Sequence, residues 1–482
     1  MSKQIYSQIF FSTTKYVLLR NFFMIITGIV SIFIVRLLGP QEYGKYSLVW
    51  QLISTVGPIL SLGWLSTLAK FIPEKTDIKE KSSLLFLSLI SVSISGIIFF
   101  ITINFVKKFF PQVLPLEIKE IIFVFSLFII LVAFFNVLEG FWRGLGKFNK
   151  FAVIDGLRSN VGNMLGLFLI FYFGTSYKTI VKSNFFVSLV FLVFLMFLIR
   201  NYIWVASWNI IKIEKQIINF CLTFLLGQVV YMLSVNLDIL LLRSMLKDPQ
   251  QVGYYTSGIR IPKLIETMFI AHLPAPILYY FSSNEIAYLK EKIFVFSSKI
   301  LSFLFSVVSL VCFSFSDYII LFLFSGKFKD SIVVFKYFSL SLPFLAYGML
   351  FSTYYLSENK PHIPLIFHFF TMVLLFNLLN LFLIPKYKFF APVISYLIAL
   401  VVFLIILSLY CFKKYKINLI SVFFLFIFLF LAVVLEKVSN VKLISLPGFI
   451  LACFITKIIT LEEILKSRSV LIKEKINTNL YL

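Results

Sequence analysis

The stretch "RLLGPQEYGKYSLVW", Arg36 to Trp50, interrupts a long apolar run, and a similar stretch, "SMLKDPQQVGYYTSG", returns at Ser244 to Gly258. Both contain the pattern Pro-Gln-x-x-Gly-x-Tyr, which begins at Pro40 in the first copy and at Pro249 in the second. Pro fixes a backbone angle, Gly allows close approach or a positive φ, and Tyr suits the headgroup level of a membrane. The repeated pattern therefore predicts two equivalent interfacial turns, each joining one long helix to the next.

Composition decides the class of protein around these turns. Of the 482 residues, 60% are hydrophobic and 13% are charged, and the mean hydropathy is +0.99. This balance excludes a large water-soluble domain. About fourteen apolar runs of roughly 20 residues can be marked off between Thr14 and Thr460, and each is continuously apolar rather than alternating. The sequence predicts an all-α integral membrane protein with about 14 transmembrane helices.

A second pair of matched polar segments indicates that the chain is duplicated. "EGFWRGLGKFNK", Glu139 to Lys150, ends the fourth predicted helix, and "YLSENKPH", Tyr355 to His362, ends the tenth at nearly the same offset. Polar segments that recur at a nearly constant offset between apolar runs are typical of internal repeats in transporters. We therefore predict two pseudo-symmetric six-helix bundles, residues 1–207 and 208–412, followed by an extra helix pair and a basic cytoplasmic tail, residues 413–482.

The basic residues predict the orientation. With a cytoplasmic N-terminus, the inside segments hold roughly 26 of the 44 Lys and Arg residues and the outside segments about 16, so both termini are predicted inside. A basic amphipathic piece, Trp208 to Lys215, would join the two bundles on that surface. The first ten residues do not resemble a cleavable signal peptide, so the first helix is expected to stay as an anchor. The net charge of +23 is explained by topology and anionic lipid headgroups, without a nucleic-acid partner.

Cysteine and histidine give no sign of a metal or a disulfide. The four cysteines fall inside apolar runs without pairing or metal-ligand spacing, and the three histidines do not form a ligand set. We expect no metal and no cofactor. The residues concerned are Cys221, Cys312, Cys411, Cys453, His272, His362 and His368.

Charged residues at membrane depth are candidates for function, because each costs about 2.5–3.5 kcal/mol unless it faces water or a partner. The eighth predicted helix carries Thr256, Arg260, Lys263 and Thr267 on one stripe, with Glu266 three residues beyond Lys263. Two cations on one helical face can receive a diphosphate, Arg through its planar fork and Lys as a point charge. The alternative is that they snorkel to an interface or pair with nearby carboxylates.

Further candidates each have two interpretations. Asp238, in "SVNLDILLL" of the seventh helix, is a proton or sodium site or a counter-ion of Arg260, and the coupling ion is left open. Arg20 and Lys70 form an inward-facing basic mouth or are ordinary positive-inside anchors. Glu139 with Arg143 is a gate pair or a helix-end salt bridge, and Pro262 is a hinge or a static kink. Possible sugar contacts, or interfacial aromatics, are Tyr231, Tyr254 and Tyr255.

Four stretches together resemble one family. They are "RLLGPQEYGKYSL" after helix one, "GWLSTLAKFIPEK" closing helix two, "EGFWRGLGKF" closing helix four and "VGYYTSGIRIPKLIE" opening helix eight. In order and spacing they are similar to the polysaccharide transporters, or O-antigen-type (Wzx-like) flippases, of the multidrug/oligosaccharidyl-lipid/polysaccharide (MOP) superfamily. The resemblance covers the chain from about Ser12 to Phe412. The last two helices look like an additional pair that some members carry.

This resemblance implies a fold and an activity. The fold would be the two-lobed one of MATE and MurJ transporters. The activity would be transfer of undecaprenyl-pyrophosphate-linked O-antigen or capsule repeat units from the inner to the outer leaflet of a bacterial inner membrane, by alternating access. Arg260 occupies the position where such flippases typically have a cavity arginine. Implied partners are the lipid-linked glycan, membrane lipids, a glycan polymerase and a chain-length regulator.

Other functions fit the residues to different degrees. A lipid II flippase also expects a cationic cavity, so it stays an alternative. A multidrug exporter of the same superfamily stays one too, although its cationic substrates favour an acidic cavity. A membrane glycosyltransferase or polymerase would need a large or acidic outer loop, whereas no predicted outer loop exceeds roughly 20 residues. We therefore expect a transporter and not an enzyme, and a purely structural protein would have little reason to bury charges.

Overall fold

The helices of a computed structural model account for nearly all of the chain that it describes. Its internal contacts divide the chain into two compact units, residues 1–256 and 257–482, which are treated separately below. The first unit extends past residue 207, so it includes helices that the sequence assigned to the second bundle. The predicted division into bundles stays a prediction. The described residues are 2–205, 215–271, 290–358, 362–415, 420–439, 441, 444–456 and 458.

The first unit holds nine helices and the start of a tenth, within its described residues. They are α1 (Ser2–Leu60), α2 (Trp64–Glu74), α3 (Ile78–Phe109), α4 (Leu116–Lys119), α5 (Ile122–Gly144), α6 (Phe148–Phe173), α7 (Tyr177–Leu198), α8 (Arg200–Val205), α9 (Lys215–Leu246) and α10 (Pro249–Ile265), with a 3-10 turn at Pro111–Val113. The connector predicted at Trp208 to Lys215 lies outside the described residues except for its last position.

The second unit begins within α10 and continues through a π-helical turn, Glu266–Ile270. A second π-helical turn, Phe369–Leu375, follows α15, and 3-10 turns lie at Gly326–Phe328, Ser339–Ser341 and Lys388–Phe390. The remaining helices are α11 (Lys290–Ser314), α12 (Ser316–Phe324), α13 (Ser331–Phe338), α14 (Leu342–Ser357), α15 (His362–His368), α16 (Phe376–Tyr387), α17 (Ala391–Tyr415), α18 (Ile420–Ser439) and α19 (Ser445–Ile455).

Length and hydropathy make these helices membrane spans. Among the described residues, nine helical segments are long and apolar enough to cross a membrane. Two of them, Lys15–Leu60 with 46 residues and His362–Tyr410 with 49, are long enough to cross twice at about 1.5 Å per residue. Each apolar run predicted from the sequence overlaps a described helix. The prediction of an all-α membrane fold is confirmed.

The two sequence motifs sit at two breaks in the helices. Gly39, immediately before Pro40, has φ 71° and ψ 173°, a conformation that L-residues with a side chain avoid, and it kinks α1 between the first two predicted spans. In the second copy Lys247 has φ 53° and separates α9 from α10. The Asp248 carboxylate then accepts a hydrogen bond from the Gln250 N–H at 2.9 Å and caps the start of α10. Both turns predicted from the motifs are therefore abrupt changes of direction.

The core of the first unit is built around α5. This helix has no charged residue in its first four turns, and it packs against α2, α3, α7 and the second half of α1. Phe125, Phe128 and Phe141 are almost completely buried there. Outward-facing side chains of α3 such as Ile97 and Ile101 are instead largely exposed, as expected of a surface that faces hydrocarbon.

In the second unit α11 is the corresponding central helix, packed against α14 and α18. The extra C-terminal pair is attached to it by a buried carboxylate. Glu436 of α18 is 6% exposed and accepts hydrogen bonds from the hydroxyls of Ser314, at the end of α11, and Ser445, at the start of α19. Three helices of the second unit therefore meet at one acidic side chain.

We predict that Glu436→Ala lowers the melting temperature of the purified protein in detergent. The two serine hydroxyls lie 3.3 Å apart, so one can donate to the other, but the second would stay buried without an acceptor at a cost of about 1–3 kcal/mol. The neighbouring Lys437 is exposed and makes a matched control, since Lys437→Ala should leave the melting temperature unchanged. Equal melting temperatures for the two variants would contradict the assignment.

Candidate functional site

The two copies of the sequence motif cross each other, backbone against backbone. A Cβ atom on Gly44 would overlap the carbonyl oxygen of Pro249, and a Cβ atom on Gly253 would overlap the carbonyl oxygen of Pro40. Only glycine therefore allows this approach at either position. Each copy presents the same two residues to the other, so the contact is reciprocal.

The reciprocal contact has the pattern of a two-fold axis. The Thr256 hydroxyl donates to the Ser47 hydroxyl at 3.1 Å, and these residues are 209 positions apart, as are the paired prolines and the paired glycines. A contact between residue i and the equivalent of residue j, matched by its converse, is what a two-fold axis produces. A local pseudo-two-fold axis therefore passes between Ser47 and Thr256, which agrees with the duplication predicted from the motifs.

A row of polar contacts continues from this axis along α1. Ser47, Gln51 and Thr55 lie four residues apart and so share one face of the helix. The Gln51 side-chain amide donates to the Asn236 side-chain oxygen, and the Asn236 amide donates to the Thr55 hydroxyl at 2.7 Å. We call Ser47, Gln51, Thr55, Asn236 and Thr256 the polar ladder. It joins α1 to α9 and α10 through polar side chains whose hydrogen bonds could not be replaced by contacts with lipid hydrocarbon.

Asp238, one of the predicted site residues, is fixed beside the ladder. Its side chain is 3% exposed and accepts hydrogen bonds from the Tyr255 hydroxyl and, at 2.8 Å, from the Ile239 N–H. Tyr255 is itself 1% exposed, so the predicted sugar contact is here engaged with the carboxylate. Its neighbour Tyr254 accepts from the Gln250 amide at 2.5 Å. A role of Asp238 in ion coupling stays a prediction.

The predicted cationic stripe lies on one helix. Arg260 is exposed, whereas Lys263 and Glu266 are half-buried. Thr267 donates to the carbonyl oxygen of Lys263 at 3.0 Å, which uses its hydroxyl within the same turn. The charged part of the stripe is therefore Arg260, Lys263 and Glu266, within two turns of each other.

The helix geometry around Pro262 differs in detail from a simple proline kink. Pro262 is buried, and α10 stays α-helical through it to Ile265. The irregularity follows at Glu266–Ile270, where the Ala271 N–H donates to the carbonyl oxygen of Glu266 at 2.9 Å, a π-helical spacing. Such turns occur frequently at functional sites. The hinge at Pro262 stays a prediction, and the π-turn marks a second place where this segment can bend.

Three other predicted residues come together in the first unit. The Tyr16 hydroxyl accepts from Arg20 at 3.5 Å and from Arg143 at 3.3 Å, and Arg143 also pairs with Glu139. Arg20 is exposed, and the other three side chains are half-buried. We call these four residues the Tyr16 cluster. Two guanidinium groups around one phenol, open to the surroundings, can bind a phosphate group.

Lys70 is placed differently from the Tyr16 cluster. Its ammonium group lies 4.9 Å from the ring centre of Phe71 and 4.4 Å from that of Phe220, within the range of cation–π contacts. Lys70 is exposed beyond these rings. The structure thus supports an aromatic anchor for this lysine, and its role in a basic mouth stays a prediction.

Sequence reasoning missed an ion-pair network at the Gly39 end of the first unit. Arg243 donates to one Glu117 carboxylate oxygen from Nε at 3.2 Å and from Nη2 at 2.7 Å. Further acidic and basic side chains surround the start of α7, where Glu42 accepts from the Tyr177 N–H at 3.0 Å. We call the set the end network, and its members are Glu42, Lys45, Glu117, Glu120, Tyr177, Lys178 and Arg243.

Glu120 of this network precedes α5 and is held by two donors. Lys178 approaches it to 3.0 Å, and the Tyr177 hydroxyl donates to it at 2.8 Å. The hydrogen bond from Lys178, followed by that from Tyr177, lowers the pKa of the Glu120 carboxyl below its usual value. Glu117 and Glu120 lie in one segment, whereas Glu42, Lys178 and Arg243 come from distant segments, so sequence spacing could not have shown that they meet.

A second missed group has a signal in the sequence. Within α6, Arg158 donates twice to Asp155, at 3.0 and 2.7 Å, and once to the Ser188 hydroxyl of α7 at 2.9 Å. Its guanidinium carbon also lies 4.4 Å from the ring centre of Phe135. Opposite charges three residues apart inside an apolar run indicate such a pair. These contacts pack α5, α6 and α7 together, with the Arg158 side chain 16% exposed and its partner Asp155 44% exposed.

The described residues hold no group of three or more His, Cys, Asp and Glu side chains that could bind a metal ion. Cys221, Cys312 and Cys453 are buried and not disulfide-bonded.

Comparison with known proteins adds the family and the fold. A family model described as polysaccharide biosynthesis protein matches residues 33–333. No curated protein matches the sequence. Among solved structures, an inward-facing multidrug resistance transporter of the MATE family matches with a TM-score of 0.68 at 18% identity, covering 82% of this chain and 96% of the other. The lipid II flippase MurJ, in an inward closed conformation, matches with 0.69 at 16% identity, covering 90% and 97%.

A third similar structure is described by the polarity of its binding pocket. A MOP superfamily transporter from Pyrococcus furiosus, described as having a binding pocket of reversed polarity, matches with a TM-score of 0.57 at 17% identity, covering 83% of this chain and 96% of the other. At these identities the likenesses concern the fold. They confirm the predicted MATE- and MurJ-like architecture, and together with the family match they confirm the resemblance carried by the sequence motifs.

We predict that Gly44→Ala and Gly253→Ala each destabilise the protein, because the new methyl group would force two backbones apart. Overpacking of this kind costs about 1–3 kcal/mol. The double variant should lose less than the sum of the two, since both act on one contact. A Cβ atom on Gly227 of α9 would meet no other atom within 4 Å, so Gly227→Ala is the control and should be neutral. Additive losses in thermal melts would argue against a shared crossing.

Proposed function

The chain belongs to the polysaccharide biosynthesis protein family, and on that premise we propose that it is a flippase for a polyprenyl-pyrophosphate-linked glycan. The family and the fold are those of membrane transporters rather than enzymes. Such a cargo has three parts with different needs, namely a lipid tail, a diphosphate and an oligosaccharide. A transporter must offer the diphosphate positive charge, because water around it is lost during crossing.

The single observation that carries this proposal is the pair of cations on α10. Arg260 and Lys263 lie within one turn of each other in a segment that the sequence predicts to span the membrane, and Arg260 is exposed. A cation in such a place is expensive unless water or an anion meets it. Arg binds phosphate oxygens through two parallel hydrogen bonds, and Lys adds a flexible point charge. Glu266 follows in the next turn and limits the net charge of this face to one unit.

The Tyr16 cluster supports an entry site for the same anion. Its two guanidinium groups lie on a side of the membrane that the distribution of Lys and Arg predicts to be cytoplasmic. Tyr16 holds Arg20 and Arg143 at a common point, at 3.5 and 3.3 Å, so a phosphate group would meet two donors already close together. Glu139 neutralises one of the two charges, which would keep the cluster from trapping the anion permanently.

The finer parts of the proposal follow from the resemblance. The cargo would be an undecaprenyl-linked O-antigen or capsule repeat unit, moved from the inner to the outer leaflet of a bacterial inner membrane by alternating access. Both termini would be cytoplasmic. A glycan polymerase and a chain-length regulator would act on the product at the outer face. A proton or sodium ion could drive the cycle, with Asp238 as the residue to examine.

Lipid II is the second candidate cargo, because MurJ matches the fold over 90% of this chain. A lipid II flippase would use the same two cations for the same diphosphate. The sign of the α10 charges argues against the remaining alternative, an exporter of cationic drugs, since like charges repel in a desolvated cavity. Which lipid-linked species accumulates on depletion therefore distinguishes the first two candidates.

We predict that Arg260→Ala lowers transport roughly tenfold to hundredfold, the loss of about 1.5–3 kcal/mol for hydrogen bonds to a charged group. The measurement is leaflet-specific accumulation of the lipid-linked oligosaccharide in cells depleted of the protein and complemented with each variant. Lys327→Ala removes an exposed charge outside the stripe and should complement fully.

Four outcomes bear on the proposed function. Repeat units retained in the inner leaflet and rescued by wild type, but not by Arg260→Ala, would support the proposal. Retention of lipid II instead would select the second candidate. Normal glycan export by Arg260→Ala at wild-type protein level would reject the role of this arginine, and altered resistance to cationic drugs alone would move the protein to the multidrug branch.

A further inference from the structure

One set of contacts joins the two predicted halves of the chain around α2, where Lys70 lies over the Phe220 ring and the Cys221 thiol donates to the Leu62 carbonyl oxygen at 2.8 Å. Three further sets join the halves toward the Gly39 end of the first unit. Its motif crossing, its polar ladder and its end network each bring residues before position 207 into contact with residues after it. At the crossing the backbones of Gly44 and Pro249 touch, which leaves no room for a passage between them. The loops at this end are the ones that the charge distribution predicts to be outer.

The members of the end network come unequally from the two predicted halves of the chain. Six of its seven members come from the first half and are tied to one another, Glu42 with Lys45 at 2.6 Å and Glu120 with Lys178 at 3.0 Å. The Tyr177 hydroxyl adds a hydrogen bond to the Glu117 carbonyl oxygen at 2.9 Å. Arg243, at the end of α9, is the one member from the second half. The first half thus forms a fixed platform that a single cation of the second half reaches.

The ion pair between Arg243 and Glu117 is buried but imperfectly satisfied. The Glu117 side chain is 3% exposed and that of Arg243 is 15% exposed. Both Arg243 donors reach the same Glu117 oxygen, Oε1, while Oε2 is buried without a hydrogen-bond partner among the described residues. A buried pair with an unsatisfied lone pair holds its helices in place, yet its net stabilisation is small. This is the chemistry of a contact that can be opened.

We propose that Arg243 and Glu117 form a latch that closes the outer end of the transport path, and that each transport cycle opens it. The proposal rests on the proposed function, because a flippase must release its cargo at the outer face. Opening would draw Arg243 away from the platform and separate Ser47 from Thr256 at the crossing below it. The pairs within the first half would stay intact, since both partners of each move together.

The first test locks the crossing. In a background with Cys221, Cys312, Cys411 and Cys453 replaced by Ala, Ser47→Cys with Thr256→Cys replaces two hydroxyls that are 3.1 Å apart and is cross-linked by mild oxidation of the full-length protein in membranes. The matched control is Ser257→Cys with Ser331→Cys, whose buried hydroxyls are 2.8 Å apart and belong to the same half.

We expect oxidation to lower glycan export at least tenfold in the first pair and reduction to restore it. The control pair should export normally in both states. Full export by completely cross-linked Ser47→Cys/Thr256→Cys protein would overturn the proposal, because the crossing would then not need to open.

The second test weakens the latch without a cross-link. Thr256→Cys serves as a single reporter, labelled by a membrane-impermeant maleimide from the outer side of right-side-out vesicles. Glu117→Gln leaves Arg243 facing a neutral amide and should raise the labelling rate about fivefold or more. Glu120→Gln is the matched control, since its ion-pair partner Lys178 belongs to the same half, and labelling should be unchanged. Exchanging the charges, Glu117→Arg with Arg243→Glu, should return labelling to within twofold of wild type.

The labelling and export measurements test the latch and the proposed cargo independently of each other. Labelling that rises with Glu117→Gln and falls again with the charge exchange supports the latch, even if no lipid-linked glycan is exported. Equal labelling rates of Thr256→Cys in the Glu117→Gln, Glu120→Gln and wild-type backgrounds would reject the latch, even if export depends on Arg260 as proposed.

Discussion

The approach of two backbones at glycine is the contact on which the described structure of the first unit depends. Gly44 against the carbonyl of Pro249 and Gly253 against that of Pro40 set the spacing of α1 and α10. At that spacing the hydroxyls of Ser47 and Thr256 are within hydrogen-bond reach, and the polar ladder follows in register. A methyl group at either glycine would separate the helices, and the polar side chains behind it would lose their partners in a medium that offers them no water.

Four arginines of this chain fall into two groups that differ in exposure. Arg158 and Arg243 are half-buried and paired with carboxylates at 2.7 Å, so their first effect is on packing. Arg20 and Arg260 are exposed, and such cations keep the capacity to bind an anion. The sequence alone could not distinguish the half-buried arginines from the exposed ones, because all four have the same charge and occur beside long apolar runs. The exposure of each arginine in the structure separates them.

The sequence predicted the helical membrane fold, the duplicated turn and the family, because apolar length and the spacing of Pro and Gly are local properties of the chain. It also identified Asp238 and Arg20 singly, and Glu139 with Arg143 as a pair four residues apart. It could not show that Tyr16 joins Arg20 to Arg143, or that Glu117 meets Arg243 across 126 positions. Such meetings depend on the direction of each helix after its turn, and the positive φ of Gly39 sets that direction without leaving a trace in hydropathy.

Two copies of a motif within one chain can differ in sequence, whereas the copies in two identical subunits cannot. The crossing has the geometry of a homodimer interface, in which every substitution appears twice. Here the equivalents have diverged, so that Glu42 stands where the other copy has Gln251, Lys45 corresponds to Tyr254, and Gln51 corresponds to Arg260. One copy therefore carries the Glu42–Lys45 ion pair and the other carries Arg260, while the paired glycines Gly44 and Gly253 are identical. Two identical subunits would instead carry both sets of residues on both sides of the crossing.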